Sequence, residues 1–137
     1  MIRWSVLQWL AIRWLPLTPL LVLLPATLMF GAADGGWLKN VPERDRARTS
    51  PYHDQADAVA AGRRIFLDRC LHCHGENAEG TKKRPSLKSE RVQQQASEGD
   101  LHWLLVNGNM RKGMPSWAKL PDQQLWQVIA YLKSLHE

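Results

Sequence analysis

The chemistry of this 137-residue chain is concentrated in five consecutive residues, Cys70-Leu71-His72-Cys73-His74. They include the only two cysteines. A Cys-x-x-Cys pair closes too small a loop to act as a structural staple. The spacing belongs instead to metal, redox or haem chemistry. Two thiols on one helical turn can reach the two vinyl groups on one edge of a porphyrin. A histidine directly after them, His74, is then carried under the ring to the iron. Other readings of the five residues remain. A zinc site needs four ligands, and one tight loop does not place Cys70, His72, Cys73 and His74 tetrahedrally. A thioredoxin-like pair wants a βαβ context, which the pattern lacks. A buried structural pair is open to any short motif. The preferred reading is covalent haem on Cys70 and Cys73 with His74 as proximal iron ligand, and His72 facing solvent.

The elements needed to position these residues can be read from patterning. Apolar residues make up 45% of the chain, which excludes a disordered or uniformly membranous protein. The formal charge is +5, and removal of Arg3 and Arg13 with the N-terminus would leave +3. No basic run is interleaved with aromatics, so nucleic acid is not expected as a partner. Residues 1–33 read as a signal peptide or N-terminal membrane anchor. A positive start precedes an uncharged run over 14–33 that ends in Gly31-Ala32-Ala33. Pro16, Pro19 and Pro25 and the small-residue end favour cleavage. Either way, the folded part is expected in the bacterial periplasm, or on the outer face of the inner membrane if 1–33 is retained.

Residues 34–56 show no sustained period and read as a polar linker. The folded domain is expected over 57–137. Asp57 is the expected N-cap of a helix over 58–70 that delivers the cysteines. A loop over 74–98 follows, then a short helix over 99–106 stopped by Asn107-Gly108. The last helix spans 123–135, with Leu125, Val128, Ile129, Leu132 and Leu135 at helical spacing. No strand, repeat or low-complexity tract is expected. About 80 residues is near the lower limit for a self-sufficient core, so a large apolar cofactor would complete it. His53, His102 and His136 are expected on the surface. Trp103, Trp117 and Trp126 are expected in the core or the haem pocket.

With these features together, residues 57–137 resemble the class I monohaem cytochromes c of bacteria. The resemblance rests on Cys70-x-x-Cys73-His74 and on Gly62 and Phe66 set against Val128 and Tyr131. It also rests on Pro85-Ser86-Leu87 and on Gly113-Met114-Pro115-Ser116-Trp117. It implies an all-α fold of three to four helices around one covalent haem c. It also implies a Pro85 carbonyl accepting from His74, Trp117 in the pocket and Met114 as distal iron ligand. A soft, neutral thioether favours ferrous iron and closes the last coordination position. Met110 is the rival, but it lacks the following proline. The implied role is single-electron transfer rather than catalysis. The donor would be a dehydrogenase or quinol oxidoreductase, and the acceptor a terminal oxidase or another haem protein. The alternatives are a haem enzyme or gas sensor with an exchangeable distal ligand, or a tethered cytochrome subunit of a larger oxidoreductase complex. Lys82-Lys83-Arg84 and Arg111-Lys112 read either as a steering ring for an acidic partner or as solvated loop charges.

Overall fold

The computed structural model describes residues 36–136, so the signal or anchor expected over 1–33 lies outside the described residues. Among the described residues, helices alternate with turns, and no β-sheet forms beyond two isolated bridges. No described helix is long and apolar enough to cross a membrane.

Helix α1 is a single turn, Glu43–Arg46, and α2 spans Ala56–Arg69. Short α3, Leu71–His74, continues directly from α2 and carries Cys73 and His74. Helix α4 spans Glu98–Asn107 and α5 spans Asp122–Lys133. A π-turn at Arg91–Gln95 and 3-10 turns at Leu38–Asn40 and Met110–Lys112 complete the elements.

The main packing is α2 across α5. On α2, Ala58, Gly62 and Phe66 recur every fourth position and are buried, which places them on one face. On α5, Leu125, Val128, Ile129 and Leu132 form the opposing stripe. The helices meet at Gly62, where a Cβ would lie 1.9 Å from the Gln127 carbonyl oxygen. No other residue permits that approach. One turn further on, the Phe66 and Tyr131 rings pack with centroids 5.3 Å apart.

Helix α4 begins with a capping box, which the sequence reading had not identified. Ser97 Oγ accepts from the Asp100 amide at 3.0 Å, and Asp100 Oδ2 accepts from the Ser97 amide at 2.8 Å. Such a cap contributes about 1 kcal/mol. It also explains how a fully buried carboxylate is tolerated at position 100. The π-turn is held by Lys133, whose ammonium donates to the carbonyls of Val92, Gln93 and Ala96 at 2.9, 3.0 and 2.6 Å.

Two expectations need correction. The stretch expected as a linker over 34–56 is anchored to the domain at several points of its described part. Val41 and Ser50 are buried, Ser97 Oγ donates to the Arg46 carbonyl at 3.0 Å, and the Ser50 amide donates to Glu98 at 2.8 Å. Two of its polar side chains pair with α4: Arg46 with Asp100 at 3.4 Å and His53 with Glu98 at 3.1 Å. His102, expected on the surface, is only 4% exposed. Arg48 Nη1 donates to its Nδ1 at 3.0 Å, so its Nε2 carries the proton and donates to Asp122 at 2.7 Å. Its ring stacks on Trp126 at 4.3 Å. A buried imidazole is stable when both nitrogens are partnered, and those partners are distant in sequence. His53 and His136 are exposed. The helix starts differ by a residue or two from expectation: Gln55 rather than Asp57 occupies the N-cap of α2.

Candidate functional site

Cys70, the last residue before α3, accepts from the Cys73 and His74 amides through its carbonyl, at 3.1 and 3.0 Å. This one turn sets the two thiols and the imidazole along one edge of a cavity of about 680 Å³. Cavities of roughly 300–1,000 Å³ are usual for cofactors. The apolar walls include Phe66 and Val128 from the α2/α5 crossing, with Leu101 and Leu105 from α4. All six residues singled out in the sequence, Cys70, Cys73, His74, Pro85, Met114 and Trp117, line this one cavity.

Two loops bring in the residues distant in sequence. A tight turn closed by the Thr81–Arg84 bridge delivers Pro85. His74 is half-buried; its Nδ1 is buried and makes no hydrogen bond of ordinary geometry. Burial lowers its proton affinity, the facing Pro85 carbonyl partly restores it, and the Arg84 charge lowers it again. The net effect is downward, so the imidazole is neutral at pH 7, the form that ligates metals. The second loop is a hairpin closed by Asn109 and Met114, with amide-to-carbonyl bonds of 2.8 and 3.0 Å. Gly113 turns it at φ +72°, a conformation glycine adopts without steric cost. This hairpin directs Met114 into the cavity wall and leaves Met110 at the tip, 72% exposed. The Trp117 amide, bonded to the Leu105 carbonyl at 2.8 Å, ties the end of the loop to α4.

The two cysteines are not bonded to each other. Burial, with a smaller contribution from Cys73, pushes the Cys70 thiol up to about 11. Among the described residues, no three His, Cys, Asp or Glu side chains cluster so as to hold a metal ion. His72 is exposed.

Two features of the site escaped the sequence reading. Arg84, noted only as part of a basic loop, donates from Nη1 to the Lys112 carbonyl, latching the loop of Pro85 to the loop of Met114. Trp37 joins the cavity wall from the segment expected to be a linker. No local signal distinguishes either residue, because both contacts span long stretches of chain.

The family model described as "Cytochrome C oxidase, cbb3-type, subunit III" matches residues 57–132. Among solved structures, the chain is similar to cytochrome cL of Methylophaga aminisulfidivorans. The identity is 26% and the TM-score 0.55, over 63% of this chain and 58% of that one. The chain therefore spans little more than half the length of that relative. Cytochrome cL of Hyphomicrobium denitrificans shares the fold at 21% identity and TM-score 0.54, over 73% of this chain and 67% of that one. The c-type cytochrome KustC0563 does so at 17% and 0.50, over 56% of this chain and 98% of that one. No curated protein matches the chain.

Proposed function

Because the chain belongs to the cytochrome c family typified by subunit III of cbb3-type cytochrome c oxidase, we propose that it is a monohaem electron carrier rather than an enzyme. Haem c, when bound, supplies a one-electron iron couple. Cys70 and Cys73 would hold it covalently, and His74 and Met114 would supply the two protein ligands to its iron. The observation that carries this reading is the convergence of all four on one apolar cavity. The buried, neutral His74 imidazole and the Pro85 carbonyl beside it also support it. The Pro85 carbonyl faces this buried Nδ1, and a hydrogen bond from it would orient a ligand histidine and strengthen its donation. Met114 on the cavity wall and Met110 in solvent favour a closed iron, which suits electron transfer and not the gas-sensor or enzyme alternative.

Cationic residues gather at the cavity: Arg69, Lys82, Lys83, Arg84 and Lys112 all contribute to its lining. This charge favours an acidic redox partner that docks over the cavity. The donor would be a dehydrogenase or quinol oxidoreductase, and the acceptor a terminal oxidase or another cytochrome. The family takes its name from an oxidase subunit, which favours the oxidase side and keeps a tethered subunit of a larger complex as the second reading. The location would be the periplasm, or the outer face of the inner membrane if residues 1–33 remain as an anchor.

The test is carbon monoxide titration of the reduced protein, after acidified solvent has shown that haem stays on the denatured chain. The parent and Met110→Ala should refuse the gas, and Met114→Ala should bind it. Haem that washes out refutes covalent attachment, and a parent that binds the gas readily refutes the carrier reading.

A further inference from the structure

Residues 37–50 precede the segment 57–132 that the family model matches, yet they form a strap folded against it. The strap backbone lies directly on the start of α4. A Cβ at Gly99 would sit 2.1 Å from the Asp45 carbonyl oxygen and 2.8 Å from those of Arg46 and Arg48. Two arginines then lock it in place. Arg46 reaches the buried Asp100 at 3.4 Å and the Leu38 carbonyl at 2.7 Å, fixing the strap to the α4 cap and to its own first turn. Arg48 donates to His102 at 3.0 Å and lies 5.1 Å over the Trp126 ring. At the start of the strap, Trp37 and Leu38 pack against the core, and Trp37 takes its place in the wall of the cavity that holds Cys70, His74 and Met114.

We infer that the strap is a clasp that seals the haem cavity, and that Trp37 is a haem-pocket residue supplied from outside the family domain. This rests on the haem reading of the site. The apolar shell of a metal site controls water access and local dielectric, and through them the reduction potential. Ferric haem carries one more positive charge than ferrous haem, so water admitted to the cavity favours the ferric state. Trp37 keeps water out, while Gly99, Arg46 and Arg48 are positioning residues that act through it.

The experiment is an equilibrium redox titration of the full-length holoprotein in parent and variants, followed by the haem absorbance. Trp37→Ala should lower the potential, so that at the parent's midpoint the variant is several-fold more ferric. Trp37→Phe should stay close to the parent. Gly99→Ala is the remote test. Alanine favours a helix more than glycine does, so α4 itself is not weakened, but its Cβ displaces the strap. It should lower the potential in the same direction, and the Trp37→Ala, Gly99→Ala pair should shift it little beyond Trp37→Ala alone. If Gly99→Ala does not fold, the Arg46→Gln, Arg48→Gln pair releases the strap by another route and carries the same expectation. A haem-loaded Trp37→Ala protein with the parent's potential overturns the inference. So does a variant whose strap amides exchange hydrogen faster while its potential stays put. A parent chain that retains no covalent haem refutes the functional reading itself, an outcome distinct from either of these.

Discussion

Replacing Gly62 by alanine should separate the two helices that hold the cavity. The new Cβ would start 1.9 Å from the Gln127 carbonyl oxygen, 2.5 Å from its carbon and 3.0 Å from Tyr131 Cβ. Two of these contacts are with backbone, so no side chain can swing aside. To reach even 3.0 Å from that oxygen, α2 and α5 must part by about 1 Å. A gap of that size forfeits about a quarter to a half of each van der Waals contact across it. The affected contacts include the 5.3 Å Phe66–Tyr131 pair. Overpacking of this kind costs about 1–3 kcal/mol, and the lost contacts add to it. The better helix propensity of alanine returns about 1 kcal/mol. The expected net loss is about 3 kcal/mol, or roughly 12–24 °C in Tm for a domain of this size. Urea unfolding of the holoprotein, followed by far-ultraviolet circular dichroism and haem absorbance, measures it. Ala60→Gly, on the exposed side of α2, is the control and should cost only about 1 kcal/mol. A Gly62→Ala loss below about 1 kcal/mol would refute the close crossing.

Three further outcomes follow from the same contacts. The Cys70→Ala, Cys73→Ala double variant should lack a sharp cooperative thermal transition, because the cavity walls then have no haem to pack against; a parent-like melt would contradict this. Lys133→Met, which keeps the apolar stem but removes the bonds to the Val92, Gln93 and Ala96 carbonyls, should lose about 2 kcal/mol in urea titration, and an unchanged midpoint would show that the three bonds add nothing. Asp122 ionises more readily than an ordinary aspartate: burial acts to raise its pKa, but hydrogen bonds from His102 and Trp126 and the charge of Arg48 outweigh it. Its folded-state pKa therefore lies below the unfolded value. The stability it adds is complete above the ordinary value of 3.8 and is lost as pH falls through the lowered one. Asp122→Asn should flatten the acid limb of a stability profile below about pH 4, and an unaltered limb would assign acid sensitivity to other groups.

The sequence by itself determined the chemistry. Cys70, Cys73 and His74 are neighbours on one turn, so their relation depends on local helical geometry alone. Gly113-Met114-Pro115 and Pro85-Ser86-Leu87 are likewise local patterns, and the helices around Phe66, Leu105 and Ile129 follow from apolar spacing of three and four. Tertiary structure decided what depends on partners far along the chain. The polar composition of 34–56 reads as a solvated linker because its cations look unpaired in sequence; Arg46 and Arg48 find Asp100 and His102 54 residues away. His102 looks like a surface histidine until Arg48 and Asp122 satisfy both of its nitrogens. Trp37 and Arg84 reach the site only when loops and strap converge on it. Local periodicity records which face of an element is apolar. It does not record which distant charge will satisfy a buried polar atom, because that pairing is fixed only when the helices cross.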